Sequence, residues 1–269
     1  MIGFFDSGIG GLSVLREIQK LLPSQPVYYI ADQAHVPYGK KQISEIKDFA
    51  FAITDFLAAQ GARVIVVACN TASAAALKEL RAEYPHLTFI GMEPAVKPAS
   101  QTTHNGIVGV LATTATFQGE MYHTLIEKFA SDVKILTHTC PGLVEAIEAG
   151  DIRTKSTREI LQRALIPMVA DRADTIVLGC THFPFVVPLI KEIVGSEISV
   201  IDPAPAIAKR AAYLLNDLDL IQRYPAQAET QYATSGDPGK FKDSLHSLLA
   251  VDTSPISLEW KNNKLEKKQ

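Results

Sequence analysis

Short, uninterrupted runs of apolar residues alternate along this chain with stretches of helical periodicity, and this alternation constrains the fold more than any other feature. Leu12, Leu15 and Ile18 recur at helical spacing between the first two runs. Strands that are apolar on both faces are typical of parallel sheets covered by helices on each side. The sequence therefore predicts an α/β fold with largely parallel sheets flanked by helices. The predicted strands are Ile2–Phe5, Val27–Ile30, Arg63–Ala68, Thr88–Met92, Ile107–Leu111, Val133–Leu136, Thr175–Leu178 and Ile198–Ile201.

Two segments of the chain are similar to each other and predict two similar lobes. Ala62–Thr71 contains an apolar strand that ends in Cys69, and Ala173–His182 contains a second such strand that ends in Cys180. Because each half carries a thiol at the same kind of position, we expect one functional site in the cleft between two lobes.

Proline-containing segments mark the candidate boundaries between these lobes. Met92–Ser100 is the first and Ile201–Ala206 is the second. Beyond them the chain ends in the polar segment Lys261–Gln269, which is typical of a solvated, partly disordered terminus.

Composition excludes several classes of protein. The 269 residues, of which 47% are apolar and 20% charged, suit one large or two medium soluble domains. The formal charge of -3 gives no reason to expect binding to nucleic acid or to a membrane, and the start of the chain does not resemble a signal peptide. Three cysteines without a C-x-x-C pair favour reduced thiols over a disulfide framework, so we predict a cytoplasmic protein.

The opening motif D-S-G-I-G-G, residues 6–11, predicts a strand end, a glycine-rich turn and the start of a helix. Backbone N–H groups at the start of a helix favour an anion, so a carboxylate or a phosphate is a candidate ligand there. The glycine spacing matches neither the dinucleotide-binding fingerprint nor the P-loop, and a purely structural turn is the alternative. Asp6 favours a functional role, because it lies at the carboxyl end of a predicted parallel strand, where α/β proteins bind ligands.

Cys69 and Cys180 each occupy a strand-to-helix turn, where a helix N-terminus lowers the pKa of a thiol toward neutrality. The structural alternative is that each is a small buried hydrophobic residue. A zinc site formed by both cysteines with Asp6 and His182 has suitable ligands but lacks the compact pair spacing of zinc sites. His182 follows one thiol closely enough to be its proton partner, whereas Cys140 has no counterpart in the other half and is interpreted as structural.

Two equivalent thiols in two similar halves favour one kind of chemistry over another. A hydrolase or transferase that forms a covalent intermediate needs one nucleophile and a base, and a mirrored copy adds nothing. Inversion of a carbon centre needs two acid/base groups, because a proton leaves one face while another arrives on the opposite face. The paired thiols therefore favour a racemase.

Six motifs, in order along almost the whole chain, resemble those of glutamate racemases in the aspartate/glutamate racemase family. They are D-S-G-I-G-G-L-S-V-L, V-P-Y-G, V-A-C-N-T-A-S, G-V-L-A-T-T-A-T, L-G-C-T-H-F-P and T-S-G-D-P. Phe183 and Phe185 depart from the Tyr and Leu that the family usually has there. The resemblance implies a cofactor-independent isomerase that makes D-glutamate for peptidoglycan and cell-wall synthesis.

The resemblance also implies a role for each matched residue. Cys69 would act on the alpha hydrogen of D-glutamate and Cys180 on that of L-glutamate. Asp6 would support the first thiol and His182 the second, with Glu148 as partner of the histidine. The implied substrate contacts are Asp6, Ser7, Tyr38, Gly39, Asn70, Thr71, Thr181 and His182, with Thr113 and Thr116 as secondary contacts; Tyr38, Gly39 and Glu148 would not be singled out by pattern alone.

The same resemblance implies that residues 1–97 together with 207–269 form the first lobe and residues 98–206 the second. We expect glutamate as the small-molecule partner, without a cofactor, a metal, nucleic acid or a membrane. The assembly stays open, with a homodimer as the candidate. Two alternative functions remain, namely racemisation of aspartate or another amino acid, and non-catalytic binding of an amino acid between two lobes.

Overall fold

A computed structural model describes residues 1–221 and 229–268, which contain two separate sheets. The first sheet has seven strands in the order β11-β10-β9-β2-β1-β3-β4. Its strand pairs are parallel except for the antiparallel β10 and β11. The strands are β1 (Ile2–Asp6), β2 (Val27–Ala31), β3 (Val64–Val67), β4 (Thr88–Gly91), β9 (Thr230–Thr234), β10 (Ile256–Lys261) and β11 (Lys264–Lys267).

The second sheet has four parallel strands in the order β6-β5-β7-β8. They are β5 (Ile107–Ala112), β6 (Lys134–His138), β7 (Thr175–Gly179) and β8 (Ser199–Ile201). The α/β prediction with two largely parallel sheets is therefore confirmed, and each of the eight predicted strands is present with bounds that differ by one or two residues.

Helices connect the strands and cover the sheets. The α-helices are α1 (Leu12–Leu21), α2 (Ile43–Ala59), α3 (Asn70–Glu83), α4 (Val96–Thr102), α5 (Thr114–Gln118), α6 (Glu120–Phe129), α7 (Leu143–Glu148), α8 (Lys155–Ala170), α9 (Val187–Val194), α10 (Ala204–Asp217) and α11 (Pro238–Leu249). Two short 3₁₀ helices span Tyr38–Lys40 and Phe183–Val186. None of the helices described is long and apolar enough to cross a membrane.

Strand β1 shows why its residues form a central strand. All five of its residues are buried, and successive side chains point to opposite faces of the sheet. Phe4 packs in the same apolar cluster as Leu15 of α1, whereas Phe5 belongs to the cluster that contains Ile53 of α2. The cluster around Phe4 continues into the second lobe, where it includes Phe183. The two lobes thus pack against each other directly.

The C-terminal segment differs from the prediction of a partly disordered end. Residues 256–267 form the hairpin β10–β11, in which Leu258 and Leu265 are buried in the core of the first lobe. Asn262 and Asn263 form its two-residue turn with φ of 50° and 59°, a backbone conformation that asparagine tolerates and hairpin turns require. Strand β11 contains only one apolar residue, Leu265, so the period-2 alternation of this segment was not recognised in the sequence.

After the second sheet the chain returns to the first, and the division into residues 1–97 with 207–269 and residues 98–206 stays a prediction. Helix α10 packs against α1, and β9 pairs with β2 at the edge of the first sheet. The strands of the second sheet all lie between residues 107 and 201.

Candidate active site

A nearly closed cleft lies where the carboxyl ends of β1 and β3 in the first sheet face the end of β7 in the second. Its empty volume is about 270 Å³. Its lining residues come from both lobes, and most of the polar residues singled out by the sequence are among them. They are Ser7, Pro37, Tyr38, Gly39, Cys69, Asn70, Thr71, Thr113, Val144, Cys180, Thr181 and His182. Asp6, Glu148 and Thr116 are not in the lining but hydrogen-bond to residues that are.

Cys69 is the N-cap residue of α3, and its thiol is buried at the floor of the cleft. Its Sγ lies 3.5 Å from the backbone nitrogen of Ala72, which donates to it, and 3.8 Å from Oγ of Ser7. Burial, with a further contribution from the charge of Asp6, raises the pKa of the Cys69 thiol to about 12. The N–H of Ala72 at the helix N-terminus does lower this pKa, but desolvation and a nearby carboxylate outweigh it, so the expectation of a pKa near neutrality is wrong.

Asp6 is fully buried and forms hydrogen bonds with residues of both lobes. Its Oδ1 accepts hydrogen bonds from the backbone of Gly8 at 3.0 Å and from Oγ of Ser7 at 3.3 Å. Its Oδ2 accepts from Oγ1 of Thr181 in the other lobe at 2.9 Å. Burial raises the pKa of the Asp6 carboxyl despite the opposing effects of its neighbours. Asp6 thus reaches Cys69 through Ser7 rather than by direct contact.

Cys180 lies at the end of β7 beside a buried His182–Glu148 pair. Its Sγ is 3.8 Å from Nδ1 of His182, and Nε2 of the same ring is 2.6 Å from Oε1 of Glu148. Burial lowers the pKa of His182, but its hydrogen bonds to Cys180 and Glu148 outweigh this effect and raise it well above the usual value. Burial likewise raises the pKa of Glu148, but hydrogen bonds from His182, Gln33 and Ile9 outweigh this effect and lower it. The pair is therefore an imidazolium and a carboxylate.

The glycine-rich turn after β1 does bind a carboxylate, and that carboxylate is Glu148 of this chain. The backbone nitrogen of Ile9 donates to Oε1 of Glu148 at 2.8 Å. A Cβ atom on Gly8 would lie 1.9 Å from the same oxygen, and one on Gly10 would lie 2.4 Å from Nδ1 of His182. The turn needs glycine at these positions because the histidine and its carboxylate partner lie directly against the backbone.

Replacing Gly8 by alanine should lower the reaction rate of the cleft by about tenfold to a hundredfold and should also lower the free energy of unfolding, because it disturbs a buried ion pair. The new Cβ displaces the carboxylate of Glu148, which then loses its fixed geometry toward His182. The measurement is the initial rate beside the thermal unfolding temperature, with the rate taken where the variant is folded.

The matched control for this variant is Gly239→Ala in the first turn of α11. The contact that a Cβ would make there is with the side-chain oxygen Oδ1 of Asp237 at 3.2 Å, remote from the cleft. We expect near-normal rates for the control. Equal losses in both variants would contradict the special role of Gly8.

Polar groups also line the opposite wall of the cleft. Oγ1 of Thr71 lies 2.8 Å from that of Thr113 and 3.3 Å from that of Thr116, so three hydroxyls from both lobes share hydrogen bonds. Asn70 is buried, and its amide oxygen and nitrogen have no hydrogen-bond partner among the described residues. An unpartnered buried amide costs free energy, and a ligand in the cleft would remove that cost.

Tyr38 and Gly39 cover the cleft from the 3₁₀ helix that follows β2. The hydroxyl of Tyr38 donates to Oδ2 of Asp32 at 2.6 Å, and a Cβ on Gly39 would lie 2.7 Å from Cβ of Thr113. Sequence analysis missed Asp32 and its neighbour Gln33, which hydrogen-bonds Glu148. The available signal was their position directly after a buried strand, at the same edge of the sheet as Asp6.

Cys140 is buried outside the cleft lining, and burial raises the pKa of its thiol to about 12. All three cysteines are free thiols. In the part of the chain that the structure describes, no group of three or more His, Cys, Asp or Glu side chains is arranged to hold a metal ion.

Comparisons with known proteins agree on one family. Residues 8–211 match the family model described as Asp/Glu/Hydantoin racemase. A glutamate racemase from Ectopseudomonas mendocina is 50% identical over 248 residues, which cover 92% of this chain and 94% of the relative. The crystal structure of glutamate racemase isoform RacE1 from Bacillus anthracis has a TM-score of 0.89 at 30% identity, covering 98% of both chains. A glutamate racemase from Francisella tularensis, crystallised in complex with D-glutamate, has a TM-score of 0.82 at 28% identity, covering 94% of this chain and 95% of its own.

Proposed function

This chain belongs to the Asp/Glu/Hydantoin racemase family and interconverts L- and D-glutamate, and we propose that it does so with two thiols and without a cofactor. One observation carries the proposal. Cys69, just after β3, and Cys180, just after β7, come from different sheets and line the same cleft. A carbon held between two thiols can lose a proton from one face and gain one on the other.

Each thiol serves one face of the substrate in this proposal. Cys69 has a raised pKa and carries its proton, so it is the donor. Sγ of Cys180 lies 3.8 Å from Nδ1 of His182, and Cys180 is assigned the role of base toward L-glutamate. Cys180 removes the alpha proton from L-glutamate as Cys69 delivers its proton to the opposite face. D-glutamate then leaves a thiolate at Cys69 and a thiol at Cys180, which is the state that accepts D-glutamate in the reverse reaction.

The alpha proton of an amino acid is very weakly acidic, so the cleft must stabilise the negative charge that develops on the substrate. Asn70 supplies an unpartnered amide, and Thr71 supplies a hydroxyl whose position is set by hydrogen bonding with Thr113. Fixed donors in a site that excludes water stabilise developing charge more strongly than the same donors in solvent. We propose that these groups, with Ser7 and Tyr38, hold the substrate.

The wider setting is also part of the proposal. D-glutamate supplies peptidoglycan synthesis, and both reactive cysteines must stay reduced, a condition that the cytoplasm maintains. A homodimer stays the candidate assembly, which light scattering of the purified protein would test.

Protein treated with a metal chelator should convert L-glutamate in deuterium oxide to D-glutamate that carries deuterium at the alpha carbon. The new hydrogen comes from the second thiol, whose proton exchanges with solvent between turnovers. Chiral chromatography follows the enantiomers, and proton nuclear magnetic resonance follows the alpha signal.

Two outcomes of this experiment would contradict the proposal. D-glutamate that retains its original hydrogen would indicate that one base returns the same proton. Loss of activity in chelator, with recovery on adding a metal ion, would indicate a metal-dependent reaction.

A further inference from the structure

Gln33 directly follows β2 and joins the first lobe to Glu148 in the second. Its amide nitrogen donates to Oε2 of Glu148 at 2.9 Å. Its amide oxygen accepts from Oγ1 of Thr234, at the end of β9, at 2.8 Å. Both ends of this amide are therefore used, and the side chain has one orientation that satisfies them together.

The T-S-G-D-P motif, residues 234–238, is shaped to hold this glutamine, although sequence analysis gave the motif no role. Oγ1 of Thr234 is itself oriented by the backbone nitrogen of Gly236, which donates to it at 3.0 Å. A Cβ on Gly236 would lie 2.6 Å from Cβ of Gln33, so the turn and the glutamine pack in close contact. In the same motif, Oγ of Ser235 donates to Oδ1 of Asp32, the residue before Gln33, at 2.6 Å.

The contact with Gln33 determines how the carboxylate of Glu148 is rotated. Oε1 of Glu148 already serves the backbone of Ile9 and the ring of His182. The hydrogen bond from Gln33 is the one found for Oε2 among the described residues. Because the two oxygens are rigidly joined in one plane, fixing Oε2 also fixes the direction in which Oε1 meets the histidine.

We propose that Gln33 is a positioning residue for the Cys180 half of the reaction, acting through Glu148 and His182. This inference rests on the proposed assignment of Cys180 to the alpha hydrogen of L-glutamate. The T-S-G turn fixes Gln33, Gln33 fixes the carboxylate, and the carboxylate holds the imidazolium against the sulfur. Among the described residues, no chain of side-chain hydrogen bonds leads from Gln33 to Cys69.

The test compares Gln33→Leu with Gln19→Leu in the full-length protein. Gln19 is the matched control because its amide nitrogen also hydrogen-bonds residues of β9, namely Thr230 at 3.1 Å and Tyr232 at 3.3 Å, away from the cleft. The substrate is a glutamate analogue with a leaving group on the beta carbon. Removal of its alpha proton forms a carbon–carbon double bond and expels the leaving group with its electron pair, so only one base is needed.

We expect Gln33→Leu to slow elimination from the L analogue by about tenfold, the effect of losing a hydrogen bond to a charged group, and to change the D analogue less than twofold. The control should leave both rates near normal. Thr234→Val keeps the glutamine but removes the hydroxyl that orients it. It should therefore slow elimination from the L analogue by a smaller factor than Gln33→Leu does. It also provides a second test should Gln33→Leu fold poorly.

Equal losses for both enantiomers, or none for either, would overturn the positioning role. The face assignment has its own test, because Cys180→Ala that still eliminated from the L analogue would refute that assignment whatever Gln33 does.

Discussion

Cys69→Ala and Cys180→Ala should each abolish racemisation in both directions, with losses of at least about a thousandfold. Each turnover needs one sulfur to accept a proton and the other to donate one, so removing either stops the full reaction. The ratio of the forward and reverse efficiencies cannot change, because the enantiomers have equal free energy in water. Chiral chromatography started from each enantiomer measures the loss.

Each variant should still remove the alpha proton from one enantiomer, and this result distinguishes a two-base mechanism from a one-base mechanism. Cys69→Ala should still eliminate from the L analogue through Cys180, and Cys180→Ala should still eliminate from the D analogue through Cys69. Cys140→Ala should leave both reactions near normal, because the Cys140 thiol does not line the cleft. If both cleft variants preferred the same enantiomer, the assignment of one thiol to each face would be wrong.

The sequence predicted the parts of the fold that depend on local pattern. Strands such as β1 and β7 are buried on both faces, so their apolar runs are continuous and easily recognised. Residues at the ends of those strands, including Asp6 and Cys180, were singled out because strand ends at one edge of a parallel sheet meet. Strands β9, β10 and β11 were missed; β11 in particular has one buried apolar residue, Leu265, and otherwise charged side chains.

The features that sequence analysis missed depend on contacts between distant segments. The pKa of Cys69 is set by burial and by Asp6, and neither effect can be inferred from the position of a thiol before a helix. The anion at the glycine-rich turn is Glu148, which lies 139 positions after Ile9. Asp32 is joined to Trp260 across 228 positions. No local periodicity encodes such pairs.

Asp32→Ala should lower the free energy of unfolding by about 3 to 5 kcal/mol and also weaken glutamate binding. The carboxylate is fully buried and accepts from Tyr38 and Ser235 at 2.6 Å each and from Nε1 of Trp260 at 2.8 Å, with Nδ1 of His35 at 2.9 Å. Alanine leaves these groups without their acceptor. A buried donor without an acceptor costs more free energy than the hydrogen bond contributes to stability. Tyr38 lines the cleft, so its release should raise the KM for glutamate.

Two measurements distinguish this effect from a general loss of an acidic residue. Trp260 is the one tryptophan of the chain, so the wavelength of its fluorescence reports on this cluster, and we expect a red shift in Asp32→Ala as the hairpin loosens. The matched control is Asp55→Ala, which removes an exposed carboxylate that accepts from the hydroxyl of Tyr84 at 2.6 Å. Solvent replaces that acceptor, so the control should cost less than about 1 kcal/mol in urea unfolding. Equal losses in the two variants would show that Asp32 contributes no more than an ordinary surface partner, and the C-terminal hairpin would then have no part in holding Tyr38 over the cleft.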